Sequence, residues 1–328
     1  MPIFDGASVL ITGGTGSFGK AFLDKILTER NPARVVVYSR DELKQYEMKQ
    51  KYGDDPRVRF FLGDIRDRDR LKTAFHGVDY VVHAAALKQV DTAEYNPMEY
   101  VKTNILGSEN VLQAAIDAGV KKVVALSTDK ASSPVNLYGA TKLTADKLFI
   151  AGNHYAAGYE TRFSVVRYGN VMGSRGSVIP FFRNLAAKGE PLPITDFRMT
   201  RFFITLPQAV DFVMDSFNDM AGGELYVPRI PSMLVADLAR AISPESELVE
   251  VGIRPGEKLH EEMISENDSR RTYEFDDHYV IAPMLDSWLT SPTFANGKLV
   301  PEDFSYCSDT NDQWLSVDQI RELANTPT

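Results

Sequence analysis

The sequence predicts an α/β protein: a doubly wound parallel sheet with a smaller, interleaved α/β C-terminal domain. Three observations predict it. Short apolar, β-branched runs alternate with stretches of helical spacing as far as Gly169, the rhythm of a parallel sheet covered by helices on both faces. A glycine-rich turn joins the first run to the first helix. Beyond Gly169 the rhythm breaks into shorter, mixed elements.

The elements justify that reading in order. Ala7-Ser8-Val9-Leu10-Ile11 is apolar and too short for a helix, so it reads as a buried strand. It enters Thr12-Gly13-Gly14-Thr15-Gly16-Ser17-Phe18-Gly19. Residues 20–28 follow with Ala21, Phe22, Leu23, Ile26 and Leu27 on a helical stripe, and 34–38 is a second strand, which completes a βαβ unit. Strands are then predicted at 58–62, 80–86, 122–127 and 164–168, with helices at 67–75, 97–118 and 138–155. After Gly169, residues Gly173, Gly176, Pro180, Gly189, Pro191 and Pro193 mark loops around one helix. Residues 202–217 are expected to return a strand and a helix to the first domain. The predicted division is therefore 1–169 with about 202–222 for the first domain, and 170–201 with 223–328 for the second.

The charge narrows the partners. The chain of 328 residues carries 36 Lys and Arg against 45 Asp and Glu, a net charge of −9. A duplex-binding surface needs clustered cations to displace counterions, so nucleic acid is excluded as a partner. No apolar run approaches the ~18 residues of a membrane span, and 1–8 lacks the layout of a secretory signal. The lone Cys307 forms no intrachain disulfide, which fits a cytoplasmic protein.

The glycine turn points to a dinucleotide. In GxxGxxG, Gly13 permits the tight turn, Gly16 lets a pyrophosphate approach the backbone, and Gly19 lets the helix pack on the strand. Thr15, Ser17 and Phe18 complete the loop, and the helix N-terminus offers free N–H groups to phosphate. After the second strand comes Ser39-Arg40-Asp41-Glu42-Leu43-Lys44. Arg40 suits a 2′-phosphate through its forked donors, with Ser39 and Lys44 beside it, which favours NADP. Asp41 keeps NAD open. Asp64 and Ile65, after the third strand, are expected at the adenine edge.

A second motif, Tyr138-Gly139-Ala140-Thr141-Lys142, sets a tyrosine and a lysine one helical turn apart. An ammonium nearby makes a phenol with an ordinary pKa near 10 a usable base. It follows a strand that ends in Ser127-Thr128.

TGGTGSFG, Ser127-Thr128 and YGATK together resemble the extended short-chain dehydrogenase/reductase family over essentially the whole chain. The resemblance implies an N-terminal Rossmann domain and a C-terminal lobe that holds a nucleotide sugar. Within that family, the triplet Thr128-Asp129-Lys130 resembles the C5-inverting UDP-N-acetylglucosamine 4,6-dehydratases of pseudaminic acid biosynthesis, whereas retaining dehydratases carry Thr-Asp-Glu. His83 to Lys88, Arg254-Pro255-Gly256-Glu257-Lys258 and Ser308-Asp309-Thr310-Asn311 resemble the same group.

The resemblance implies Thr128, Asp129, Lys130, Tyr138 and Lys142 as the catalytic set. Tyr138 takes the 4-hydroxyl proton with Thr128 orienting it, a neutral Lys130 takes the C5 proton, and a protonated Asp129 delivers one to the leaving 6-hydroxyl. It places Ala84, Ala85, Ala86, Lys88, Asn104, Tyr138 and Lys142 at a tightly bound, recycled NADP. Lys88, Thr128, Asn170, the 177–180 segment (with Val178, Ile179 and Pro180), Arg201, Arg254 and Glu257 line the UDP-N-acetylglucosamine pocket. It also implies a homo-oligomer, possibly a hexamer. A retaining dehydratase, a 4-epimerase and a non-catalytic NADP sensor are the alternatives. His260-Glu261-Glu262 lacks metal-ligand spacing, so no metal is expected. His83 reads as packed.

Overall fold

The computed structural model describes residues 2–173, 178–284 and 294–325. The chain runs β1 (Ser8–Thr12), α1 (Ser17–Glu29), β2 (Arg34–Ser39), α2 (Glu42–Tyr52), β3 (Val58–Leu62), α3 (Arg68–Ala74), β4 (Tyr80–His83), α4 (Val90–Tyr95) and α5 (Pro97–Tyr100). A π-helical turn, Val101–Leu106, leads into α6 (Gly107–Ala118). Then come β5 (Lys122–Leu126), a 3-10 turn at Asp129–Ala131, α7 (Leu137–Tyr155) and β6 (Arg162–Val166). The remainder is β7 (Asn170–Val171), α8 (Val178–Ala187), β8 (Leu192–Ile194), β9 (Thr200–Ile204), α9 (Leu206–Asp219), β10 (Leu225–Pro228), β11 (Ser232–Leu234), α10 (Val235–Ile242), β12 (Leu248–Glu250), β13 (Glu262–Ile264), β14 (Thr272–Glu274), β15 (His278–Ile281), β16 (Lys298–Leu299), β17 (Tyr306–Cys307) and α11 (Val317–Asn325).

The main sheet has the order β16-β14-β15-β10-β6-β5-β4-β1-β2-β3. From β3 to β10 every pairing is parallel, and β15, β14 and β16 continue the sheet antiparallel. The strands are unbroken apolar runs because both faces are covered: Val9, Leu10, Ile11, Val35, Val37, Val81, Val82, Val123 and Val124 are all fully buried. The chain order reverses between β1 and β4, and at such a switch point the loops beyond the strand ends diverge and leave a crevice. The small lobe packs Met172, Ile179, Phe203, Met233, Leu238 and Ile320 together.

Several expectations shift. The strand predicted at 80–86 stops at His83, because its neighbour β1 ends at the paired Thr12. Helix α2 has no apolar stripe to announce it, but Asp41 caps it by accepting from the Lys44 amide at 3.0 Å, and Met48 and Tyr52 anchor it. The predicted helix at 97–118 contains the π turn. Within 202–217, the helix α9 does return to the first domain and packs on α1, with Lys25 paired to Asp211 at 2.6 Å. The strand does not: β9 pairs with β7 and β11 in a separate three-stranded sheet. Instead, β10, β14, β15 and β16, all within 223–328, extend the main sheet.

Candidate active site

The glycine turn is a cradle made of backbone. Gly13 has φ +66°, and a Cβ there would lie 2.9 Å from the Ala85 backbone; a Cβ on Gly19 would lie 2.5 Å from Gly14. Gly13 thus holds the turn against the strand after β4, and Gly19 holds α1 against the turn. Gly16 is different: it is exposed, and a Cβ would meet only the Gly13 carbonyl, at 3.2 Å. It caps α1 without a side-chain hydrogen bond, and the first turn holds no acid. The open face, free amides and helix dipole are what a pyrophosphate needs. Ser17 and Phe18 open the helix, and Phe18 stacks on Phe22. Thr15 and Ser39 are buried and hydrogen-bonded to each other at 2.8 Å, which ties the turn to the end of β2.

The end of β2 carries a cation network. Arg40 is half exposed and lies 3.7 Å from Asp64. Lys44 pairs with Asp41 at 2.5 Å. Burial pushes the Asp64 carboxyl up, but the Arg66 hydrogen bonds outweigh it and hold it below the usual range. The Asp64 side chain is engaged by Arg66 at 2.8 Å, and its backbone carbonyl accepts from the Tyr38 hydroxyl at 2.9 Å. Ile65 is buried and touches Gly107.

Ala84, Ala85 and Ala86 run out of β4 at the switch point and are partly to well exposed. Asn104 is buried, and its side chain is fully engaged: Oδ1 accepts from the Leu87 amide at 2.8 Å, and Nδ2 donates to the Leu87 carbonyl and the Thr141 hydroxyl. It fixes the 84–88 strand end to α7 and presents no free polar group. His83 is packed, as expected, bonded to Thr12 at 2.7 Å and to Ser108 at 3.2 Å; burial, then the Lys142 charge, lowers its pKa to about 3.

Helix α7 positions the tyrosine–lysine pair. Asn136 caps it by accepting from the Gly139 amide at 2.8 Å. Gly139 is required by contact: a Cβ there would overlap the Lys130 carbonyl and meet Pro134 at 3.0 Å. Its absence lets the 3-10 turn at Asp129–Ala131 lie on the helix start. Tyr138 is buried, and burial raises its pKa to about 12, opposed by the Lys130 charge and a Thr128 hydrogen bond. Lys142 donates to the Leu126 carbonyl at 2.7 Å; burial lowers its pKa, opposed by Asp146. The charge of Lys130 therefore favours the phenolate.

Thr128, Asp129 and Lys130 form a hydrogen-bonded run at the end of β5. Thr128 Oγ1 donates to Asp129 Oδ1 at 2.9 Å, and Lys130 Nζ donates to the same oxygen at 3.1 Å. Lys130 Nζ also lies 3.3 Å from Glu261 Oε1, which is 3.6 Å from Arg201 Nε. Burial disfavours the Lys130 charge, but the two carboxylates outweigh it and raise its pKa. The direction favours the ammonium form of Lys130, opposite to the neutral lysine expected from sequence. Asp129 Oδ2 and Glu261 Oε2 are buried with no hydrogen-bond partner, an arrangement that costs about 1–3 kcal/mol per group until something bonds to it.

On the substrate side, the segment from Arg254 to Glu262 is clamped over this run. Lys258 donates to the Ser132 carbonyl at 2.6 Å, Asn136 to the Gly256 carbonyl at 2.8 Å, and Ser132 and Ser133 to Glu262 at 2.9 and 2.6 Å. Arg201 belongs to the clamp. Its guanidinium is buried and donates to the Thr200, Leu259 and Lys258 carbonyls at 2.7, 3.1 and 3.1 Å. Arg254 is exposed, with only a 3.8 Å contact to Asp91. Glu257 keeps a buried Oε2 without a partner, consistent with an acceptor for a ligand hydroxyl. Lys88 is exposed, and the surrounding protein and the Lys130 charge lower its pKa. Asn170 is partly buried on β7. Of the 177–180 segment, Ser177 lies outside the described residues, Ile179 is inside the small-lobe core rather than at its surface, Val178 packs beside it, and Pro180 is exposed.

Sequence reasoning missed Glu261, which sat in a stretch set aside for its lack of metal spacing. Two adjacent acids opening a strand were the available signal, since one of the two must face inward. It also missed Asp146, one turn after Lys142 on the same helix face, which bonds Ser127 at 2.7 Å and Arg167 at 3.2 Å.

A Rossmann sheet, a backbone cradle at its switch point and a buried Tyr-x-x-x-Lys helix start define the extended short-chain dehydrogenase/reductase architecture. Comparison with known proteins agrees. Residues 9–283 match the family of polysaccharide biosynthesis proteins. The chain is 52% identical over 330 residues, 98% of each chain, to the UDP-N-acetylglucosamine 4,6-dehydratase (inverting) of Campylobacter jejuni. Among solved structures it is similar to Pen from Bacillus thuringiensis, with a TM-score of 0.90, 39% identity and 98% of each chain covered. It is also similar to the dTDP-glucose 4,6-dehydratase DesIV from Streptomyces venezuelae with NAD and TYD bound, with a TM-score of 0.67, 26% identity, and 77% of this chain and 86% of that one covered. This chain belongs to the polysaccharide biosynthesis protein family.

Proposed function

We propose that this protein is a UDP-N-acetylglucosamine 4,6-dehydratase that inverts C5 and works with a recycled nicotinamide cofactor, NADP in preference to NAD. The observation that carries the reading is the Asp129–Lys130 pair, a buried carboxylate and a half-buried ammonium joined at 3.1 Å where β5 meets the Tyr138 helix. The nearly full-length likeness to the inverting dehydratase of Campylobacter jejuni supports it. The half-exposed Arg40 at the end of β2 supports NADP.

The cradle of Gly13, Gly16 and Gly19 fits a dinucleotide, with Thr15 and Ser39 bracing it and Arg40 at the ribose end. When bound, the cofactor supplies hydride transfer out of C4 and back into C6. Tyr138 accepts the 4-hydroxyl proton. Its burial works against the phenolate, and the Lys130 ammonium and Thr128 work for it.

The 4-ketone then acidifies the C5 proton. One proton moving along the 3.1 Å bond from Lys130 to Asp129 makes an amine and a carboxylic acid together. That single shift provides the base for C5 and the acid for the 6-hydroxyl. The amine takes the C5 proton, the C–H electron pair becomes the new double bond, and the C6–O bond breaks. Asp129 protonates the departing oxygen, water leaves, and the resting ammonium and carboxylate are restored. With the hydride returned to C6, a proton drawn from solvent enters C5 from the opposite face.

Arg254, Lys88, Asn170 and Glu257 are assigned to the UDP-sugar. We read the protein as a cytoplasmic homo-oligomer. Among the described residues no helix is long and apolar enough to cross a membrane.

Mass spectrometry after incubation with UDP-N-acetylglucosamine tests the reading. Loss of one water with no net consumption of cofactor is expected. An unchanged mass, as a 4-epimerase or a sensor would leave, contradicts it.

A further inference from the structure

Lys130 has two tasks in the reaction proposed above, and they need opposite charges. As an ammonium it favours the Tyr138 phenolate during the first proton transfer. As an amine it takes the C5 proton. Something beyond Asp129 must set when one form gives way to the other, because Asp129 is the pair's own proton acceptor.

The groups facing Lys130 can be enumerated. Asp129 lies beside it on the same turn, and Tyr138 faces it from α7. Lys88 faces it from the run after β4, Arg201 acts on it from β9, and Glu261 approaches from the residue before β13. Of these, Glu261 is an acid outside the triplet that is anchored through its backbone. Its amide donates to Ser308 Oγ at 2.9 Å, and its carbonyl accepts from the Ser308 amide at 2.8 Å. Ser308 Oγ is in turn bonded to Thr200 at 2.6 Å. The Glu261 carboxylate is almost wholly buried, with Oε1 between Lys130 and Arg201 and Oε2 without a partner. A burial this costly is not explained by packing, since the residue beside it, Glu262, already provides the hydrogen bonds that tie this strand to Ser132 and Ser133.

We infer that Glu261 is a positioning residue for Lys130: its carboxylate, carried on a backbone anchored to Ser308, holds the Nζ in place and keeps it charged through the first proton transfer, delaying release of the amine. The inference rests on the dehydratase reading. It adds no oxidant or new reactant, because the only event is loss of the Lys130 proton, to Asp129 during elimination and to solvent as the pH rises. The direction of the electrostatics follows: a carboxylate at 3.3 Å stabilises the ammonium, so removing it lets the amine form at lower pH.

The test is the pH dependence of deuterium exchange at C5 of UDP-N-acetylglucosamine in D₂O, for the wild type, Glu261→Asp and Glu261→Gln. Exchange should switch on at progressively lower pH in that order, with the Gln variant about one unit or more below the wild type. The Asp variant, its carboxylate drawn back by one methylene, falls between. A purely structural role would lower the rate without moving the pH at which exchange begins. The ¹³Cε signal of Lys130 in the substrate-free protein gives a readout independent of turnover, and its titration midpoint should fall in the same order. Coincident pH limbs and coincident lysine titrations in folded variants would overturn the inference. Failure of the wild type itself to release water would instead overturn the dehydratase reading.

Discussion

The two halves of the site are built from different materials. The cofactor side is made of backbone: glycines, free amides and a helix end, with Thr15 and Ser39 satisfied by each other. The substrate side is made of buried charge: Asp129, Lys130, Glu261 and Arg201 share one network, and two of its carboxylate oxygens have no partner. A backbone site is complete before its ligand arrives and tolerates little change in shape. A charge site is left under-satisfied, so it holds free energy that proton movement and substrate contacts can draw on. The two halves should therefore fail differently when mutated.

The largest expected effect lies on the charged side. Lys130→Ala should lower the rate of water elimination by about 10²–10⁴, the usual worth of a positioned acid–base group, while dinucleotide binding measured by calorimetry stays near wild type. Loss of both together would erase the proposed division of labour. On the backbone side, Gly13→Ala adds a Cβ 2.9 Å from Ala85 at a residue with φ +66°. It should cost about 2–4 kcal/mol of stability in thermal or urea unfolding and weaken dinucleotide binding. A fully stable variant with normal affinity would show that the cradle is looser than described. The smallest effect belongs to the exposed rim between the halves: Arg40→Ala should reduce the preference for NADP over NAD by about tenfold, the order of one charge-assisted contact, with little change in stability. An unaltered ratio of the two dissociation constants would remove Arg40 from cofactor choice.

The same contrast explains what the sequence made legible. The cradle was readable because glycine is the residue that φ > 0 and close backbone approach demand, and its flanking strand and helix carry distinct periods. The Tyr138–Lys142 helix was readable because local spacing encodes it, and the Thr128 to Lys130 triplet through its resemblance to the inverting dehydratases. The clamp was not. Glu261 meets Lys130 across 131 positions of chain, through a strand whose pairing with β17 no local pattern announces. Arg201 likewise meets Lys258, Leu259 and Glu261 from a distant part of the chain. The sheet's antiparallel extension by β15, β14 and β16 was hidden for a related reason, since strands of two to four residues carry no period.

The charge balance also acquires a location. A chain with net charge −9 is assigned two anionic ligands, and Lys88, Lys130 and Arg254 are the cations assigned to the substrate side. Arg201 neutralises Glu261 inside the protein.

The central claim is that the Asp129–Lys130 pair removes the C5 proton and that C5 is rebuilt with the opposite configuration. Incubating the protein with UDP-N-acetylglucosamine in D₂O and following the product by NMR tests this most directly. The account predicts a 4-keto-6-deoxy sugar with deuterium at C5 and the L-arabino configuration. A product with hydrogen retained at C5, or with deuterium there but the original configuration, would contradict it.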